Sequence, residues 1–305
     1  MLAVRVIIAA ACASAAAVFA RELWLAELAV HFRVQYAAVA VLALPCLLWS
    51  RRFGLAALAL VVLGANLWFV GPLIAASPSP LASSPAPARK VLRVATANVF
   101  FINSAYARVI AWIHREQPDI VVLEEVTPRW HAALAPLGRE YPYQSFADDD
   151  HSAVWLLSRW PLIGARKLEF GGRAAPAVLA TAAIGAQRLQ LVGVHLSWPF
   201  GARNAFERND SFRQLARFAR GHSEPLLIVG DLNCTPFSPY FGDLLRDGEL
   251  VNAAAGWQPT WPSFVPPLGI AIDHVLLAHG VAVRAFRRGD WIGSDHVPIV
   301  VDLTL

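Results

Sequence analysis

Apolar positions fall into two regimes along the chain. In the first 75 residues they form long runs, Val6–Ala20, Val34–Trp49 and Phe53–Ala75, the last without a single charge. About 20 apolar residues make a helix that crosses a bilayer, so these runs predict about three transmembrane helices, near 4–20, 34–50 and 53–75. From Val91 onward the runs are short and end abruptly in polar residues, the signature of buried strands. Strands are expected at Val91–Val99, Ile120–Leu123, Ala153–Leu157, Ala177–Ala183, Leu189–His195, Leu226–Val229, Ile272–Leu277, Val281–Phe286 and Pro298–Leu303. Apolar residues three and four apart predict helices at Ala105–Gln117, Phe206–Arg220 and near Tyr240–Arg246. Strands, helices and then strand pairs indicate a mixed α/β sandwich.

Three regions follow: a membrane anchor at 1–76, a linker at 77–90 and a domain at 91–305. The linker contains SPSPLASSPAPA, whose Pro/Ser/Ala composition suits an extended, exposed tether. The first run reads either as an uncleaved helix or as a signal peptide with Val18-Phe19-Ala20 at the cleavage site. Arg51-Arg52 between the second and third runs favours the cytoplasm, which sends the domain to the outer face. The expected location is the bacterial inner membrane, multi-pass, with the bilayer as partner and no obligate protein partner evident.

Charge adds a restriction. Residues 1–90 carry seven basic and two acidic side chains, whereas 91–305 carry nineteen and twenty. The basic balance of the chain therefore belongs to the anchor and linker, and the domain has no global footprint for a polyanion. Three cysteines, one of them (Cys234) in the domain, leave the domain without an internal disulfide.

Candidate chemistry sits at the strand ends. LLIVGDLN delivers Asp231 and Asn233, which point the same way if the chain stays extended there, and Gly230 permits an unusual turn. Asn98 closes the first strand, Glu125 follows the second, and His195 ends VGVHL. Asp273 follows AI in AIDHVLL, and Asp295 and His296 lie in GSDHVPIVVDL. Polar residues gathered from separate strand ends at one sheet edge are how such a sandwich builds a site. His274, the acidic run Asp148–Asp150 with His151, Arg287-Arg288, Arg213 and Gln214 are read as structural or solvated. Trp198 and Trp261 are either core or an apolar rim.

The series TANV, DIVVLEEV, HL, VGDLN, IDHVLL and SDHVPIVVDL resembles the endonuclease/exonuclease/phosphatase (DNase I-like) superfamily over residues 91–305. With the apolar N-terminus, the chain resembles its membrane-anchored bacterial branch, which includes vancomycin/teicoplanin-resistance proteins. The resemblance implies a four-layer αββα sandwich and hydrolysis of phosphoesters dependent on Mg²⁺, with Mn²⁺ as a substitute. It implies metal ligation by Glu125, Asn98 and Asp295, with Glu124 in the family's usual Gln position. Asp231 and Asn233 would position water and phosphate. His296 would be paired with Asp273, and His195 would serve as general acid or electrostatic clamp. Either Asp231 or His296 takes the proton from water. The substrate expected is a lipid-linked phosphate or pyrophosphate; the alternative is nucleic acid, cut by a membrane-tethered nuclease.

Overall fold

The computed structural model describes residues 1–75, 91–148, 153–170 and 175–305. The linker at 77–90, and Asp149, Asp150 and His151 of the acidic run, lie outside the described residues. In chain order the elements are α1 (Leu2–Ala16), α2 (Trp24–Val30), α3 (Arg33–Trp49), α4 (Phe53–Ala75), β1 (Val91–Asn98), α5 (Tyr106–Glu116), β2 (Ile120–Glu124), α6 (Pro128–Leu134), β3 (Tyr143–Asp148) and β4 (Ala153–Ser158). They continue as β5 (Leu162–Glu169), β6 (Pro176–Ile184), β7 (Gln187–His195), α7 (Ala202–Arg220), β8 (Leu226–Asp231), α8 (Pro239–Asp247), β9 (Val251–Asn252), β10 (Asp273–Ala278), β11 (Ala282–Arg288) and β12 (Ile299–Thr304).

Two six-stranded sheets form, in the orders β11-β12-β1-β2-β4-β3 and β5-β6-β7-β8-β10-β9. Each has one parallel pair at its centre, β1 with β2 and β7 with β8, and antiparallel neighbours around it. Val94, Val122, Val154, Val178, Leu191, Leu227 and Val301 pack between the sheets. The outer face of the first sheet is covered by α5 and α6 through Trp112, Ile113 and Trp130. That of the second is covered by α7 and α8 through Phe212, Leu215 and Phe241. Strands buried on both faces explain why their sequences read as unbroken apolar runs. Edge strands β5 and β11 are largely exposed and carry Arg166, Lys167, Arg284 and Arg287, charges that discourage edge-to-edge pairing.

The N-terminal region departs from the expectation of three spans. Leu2–Phe19 and Phe53–Ala75 are long and apolar enough to cross a membrane. The middle segment is a helix pair, α2 and α3, bent by 60° at His31-Phe32, and it reaches the length of a span only if both halves are taken together. The bend has a physical cause: Glu27 and His31 are engaged by the α/β domain, so α2 cannot continue in line with α3. The docked helix α2 lies in the stretch between the first two apolar runs. Alanines make the close contacts among α1, α3 and α4, with Ala10, Ala40, Ala43, Ala56 and Ala59 buried there. Asn66 is the polar tie, donating to Ser14 Oγ (2.9 Å) and accepting from Arg33 (3.4 Å).

Candidate active site

Register places the site. Asp231 lies opposite His195 on one side and Asp273 on the other, while Asn98 pairs with Glu124 in the facing sheet. The polar residues that end these strands therefore meet at one edge of the sandwich.

The Asp231 carboxylate is the hub. Asn98 Nδ2 donates to its Oδ2 (3.2 Å) and to Glu125 Oε1 (2.9 Å), so one amide spans two carboxylates from different sheets. His195 Nε2 lies 3.7 Å from Glu125 Oε1 and 3.8 Å from Asp231 Oδ2, too far for hydrogen bonds and free to meet a ligand. His296 Nε2 is also 3.8 Å from Asp231 Oδ2, and its Nδ1 bonds Asp273 Oδ2 at 2.9 Å. Asp273 in turn is oriented by its own N–H, which donates to Thr260 Oγ1. Ser294 Oγ donates to the Asn98 carbonyl (2.7 Å) and accepts from His296 N–H (3.0 Å), tying the turn before β12 to the end of β1 beneath the site. Asp295 lines the same cleft and accepts from Trp261 Nε1 (2.9 Å).

Electrostatics follow from burial and pairing. Burial opposes a charge on the His296 ring, but Asp273 outweighs it and pushes the imidazole up to about 10. Burial likewise works against Asp273, and the His296 charge overrides it, holding the carboxyl below its ordinary value. Burial, then negative Asp273, pushes Asp231 up to about 6. The neighbouring Glu124 points the other way, into the space between the sheets, where Thr96 Oγ1 donates to it (2.6 Å). Burial drives its carboxyl well above the usual range, which favours the neutral form below the site. Glu125 instead faces the cleft.

Three non-glycine residues at the site have left-handed backbones: Phe100 (φ 62°), Glu125 (φ 60°) and Asn233 (φ 49°). Each sits within two residues of a strand end and is held by specific bonds, Asn98 Oδ1 accepting from Phe100 N–H and Glu125 Oε2 from Phe101 N–H. Such conformations cost of order 1 kcal/mol or more and persist where surroundings enforce them. At Asn233 the turn changes one expectation. The chain is not extended past Asp231, so Asn233 does not simply follow its direction. Its N–H donates to Asp231 Oδ1 (2.8 Å) and its amide to the Leu196 carbonyl (2.8 Å). Gly230 does have the unusual backbone foreseen, φ 137°, and a Cβ there would lie 2.0 Å from the Val194 carbonyl oxygen. Gly230→Ala is therefore expected to destabilise the fold by roughly 3 kcal/mol or more, since backbone rather than a flexible side chain blocks it; urea unfolding measures this.

These groups open into a cleft of about 890 Å³. Its apolar wall comprises Phe100, Phe101, Trp198, Phe200, Trp261, Ile270 and Ile272, joined by Leu28, His31 and Phe32 from the N-terminal region. Trp198 and Trp261 are thus rim residues, whereas Trp257 stacks on Phe237. The other residues read as structural have partners away from the site: His274 with the Cys234 carbonyl, Arg287 with Glu116, and Arg213 and Gln214 with Asp210. Sequence reasoning missed Phe100, Phe101 and Phe200. Their signal was available, since these aromatic residues lie two to five positions beyond the polar ends of β1 and β7.

The donor set fits a hard divalent cation. Glu125 and Asp231 carboxylates converge with only an amide and a histidine edge between them, and oxygen donors with room for water suit such ions. A second cluster, Asp231, Asp273 and His296, has ligand atoms within 4.8 Å of one another, but His296 already spends Nδ1 on Asp273.

A family model described as "Endonuclease/Exonuclease/phosphatase family" matches residues 95–296. The fold is similar to an endonuclease/exonuclease/phosphatase from Beutenbergia cavernae (24% identity, 71% of this chain and 72% of that one, TM-score 0.59). It is also similar to TDP2 from D. rerio, solved with a single-strand DNA product (16% identity, 71% and 100% covered, TM-score 0.58). Sphingomyelinase C from Streptomyces griseocarneus shares it too (20% identity, 70% and 99% covered, TM-score 0.54). No curated protein matches the chain significantly.

Proposed function

Because the chain belongs to the endonuclease/exonuclease/phosphatase family, we propose that this metal-dependent phosphoester hydrolase is membrane-anchored and acts on a lipid-linked phosphate or pyrophosphate at the outer face of a bacterial inner membrane. The observation that carries this reading is the composition of the cleft wall. Leu28 and Phe32, from the segment between two helices of membrane-spanning length, face the same cavity as Asp231, His195 and His296. An apolar chain leaving the bilayer meets apolar side chains all the way to the carboxylates. A polyanionic duplex meets a domain with nineteen basic and twenty acidic residues, which offers no electrostatic reward.

Glu125, with Asn98 and Asp295, would hold the cation, Mg²⁺ or Mn²⁺. When bound, it polarises the phosphoryl oxygens and stabilises the leaving oxyanion. The chain's own groups divide the remaining work. Asp231, fixed by Asn98, takes the proton of the attacking water as its oxygen bonds to phosphorus. Asn233 shapes the loop that holds the phosphate. His296, kept positive by Asp273, presents Nε2 to a phosphoryl oxygen. His195 stands beside both carboxylates and delivers its proton to the leaving oxygen, which suits in-line displacement.

The apolar wall is testable apart from the chemistry. Phe200→Ser is expected to raise KM for a long-chain polyprenyl pyrophosphate about tenfold, as losing roughly 1.5 kcal/mol of apolar contact implies. Turnover of a short soluble phosphoester should stay unchanged. Equal losses on both substrates would refute the lipid reading.

A further inference from the structure

Among the described residues, the two with the deepest buried charges in one ion pair lie 181 positions apart in the chain. Glu27 on α2 and Arg208 on α7 are both wholly buried and form an ion pair. Glu27 also accepts from Ser238 Oγ at 2.7 Å. The guanidinium does not stop at Glu27. Its Nη1 donates to the Asn233 carbonyl at 3.0 Å, and Nε and Nη2 donate to Asn209 Oδ1 at 3.1 and 2.8 Å. Two residues further on, Thr235 Oγ1 bonds His31 Nδ1 at 2.9 Å. The loop that carries Asp231 and Asn233 is thus held at Asn233 by Arg208, whose charge Glu27 of the N-terminal region compensates, and at Thr235 by His31 of that region.

That grip bears on a strained position. Asn233 holds a left-handed backbone through three ties: its N–H to Asp231, its amide to Leu196, and its carbonyl from Arg208. The first tie also orients the Asp231 carboxylate. Loss of the third loosens the turn that the first depends on. A buried guanidinium stays in place only while a buried anion compensates it, and Glu27 is that anion.

We propose that Glu27 and Arg208 are positioning residues for hydrolysis, so that helix α2 of the N-terminal region is an integral part of the active site and not merely its tether. The bent α2–α3 pair is the structural expression of this: α2 leaves the line of α3 in order to dock on the loop. Glu27, His31 and Cys234 also place ligand atoms within 4.8 Å of one another. A cation there would meet the Arg208 guanidinium that already neutralises Glu27, so the cluster is a joint and not a metal centre. The inference depends on phosphoester hydrolysis and is independent of the lipid reading.

The test uses the full chain in detergent with saturating Mg²⁺ and bis(4-nitrophenyl) phosphate, a soluble probe indifferent to membrane proximity. Glu27→Gln keeps the shape and a hydrogen bond but removes the compensating charge, and Glu27→Asp keeps the charge. For Glu27→Gln we expect kcat to fall about 10- to 100-fold with KM little changed, as when a supporting partner of a catalytic group is lost. Hydrogen exchange in the peptide spanning residues 226–238 should rise in parallel. Glu27→Asp should recover part of both. Asp243→Asn breaks only the surface pairs with Arg21 and Arg246 and should leave kcat within about twofold of the unmodified chain. A Glu27→Gln protein that melts at a lower temperature, yet keeps wild-type kcat and unchanged exchange in 226–238, would reduce the pair to a structural tie and overturn the proposal. Should Glu27→Gln fail to fold, Arg208→Lys, which keeps the charge but cannot reach all three acceptors, is expected to show the same loss of kcat.

Discussion

Glu125→Ala is expected to lower metal-dependent turnover by at least about 10³-fold while the chain stays folded, because cation-mediated charge stabilisation is worth several kcal/mol. The Glu125 side chain faces the cleft and accepts from only Asn98 Nδ2 and Phe101 N–H, so its loss leaves no hole in either apolar core. Glu124→Gln is the matched control one residue away. It keeps the acceptor for Thr96 Oγ1 and replaces a carboxyl whose neutral form burial favours, so turnover should persist. Initial rates with and without EDTA, alongside thermal melts, separate the two. If Glu124→Gln were dead and Glu125→Ala active, the roles assigned to the two acids would be reversed.

His296→Ala carries the second large effect, a fall of about 10²–10⁴-fold in kcat, the range for a residue that moves or holds a proton in the transition state. Its Nε2 edge faces Asp231 and its Nδ1 is locked by Asp273, so the imidazole has one orientation and one free donor. Asp273→Asn keeps the shape but takes away the charge that sustains the imidazolium, and should lose part of the same factor. Single-turnover kinetics at saturating substrate measures both. A change confined to KM in either variant would move His296 from the chemical step to ground-state binding.

Much of this site was legible because its residues obey a local rule. A run of β-formers that stops dead at a polar residue marks a strand end, and Asn98, Glu125, His195, Asp231 and Asp273 each sit at or beside one. Register then turns the list into a site, since His195, Asp231 and Asp273 lie abreast across β7, β8 and β10. The orientation of the two acids at the end of β2 was legible only through the family resemblance, because adjacent residues at a strand end look alike until the left-handed turn at Glu125 separates them. Edge strands β3 and β5 also escaped notice. Exposed on at least one face, they alternate weakly and lack the unbroken apolar runs of the central strands.

The N-terminal joint was illegible for a different reason. Glu27 and Arg208 are 181 residues apart, and each alone looks like an ordinary solvated charge. WLAELAV is too short to announce itself as a helix, and only its docking on α7 and α8 explains why Glu27 is buried. The aromatic wall belongs to the same class. Leu28 and Phe32 meet Phe200 in one cavity only after the fold has brought the N-terminal region against the domain.

The most direct test of the account is turnover by the purified full chain on two substrates in parallel, a polyprenyl pyrophosphate in detergent and supercoiled DNA, each with Mg²⁺ and with EDTA. The account predicts phosphate release from the lipid with Mg²⁺, none with EDTA, and intact DNA throughout. Nicked DNA with an untouched lipid would contradict it.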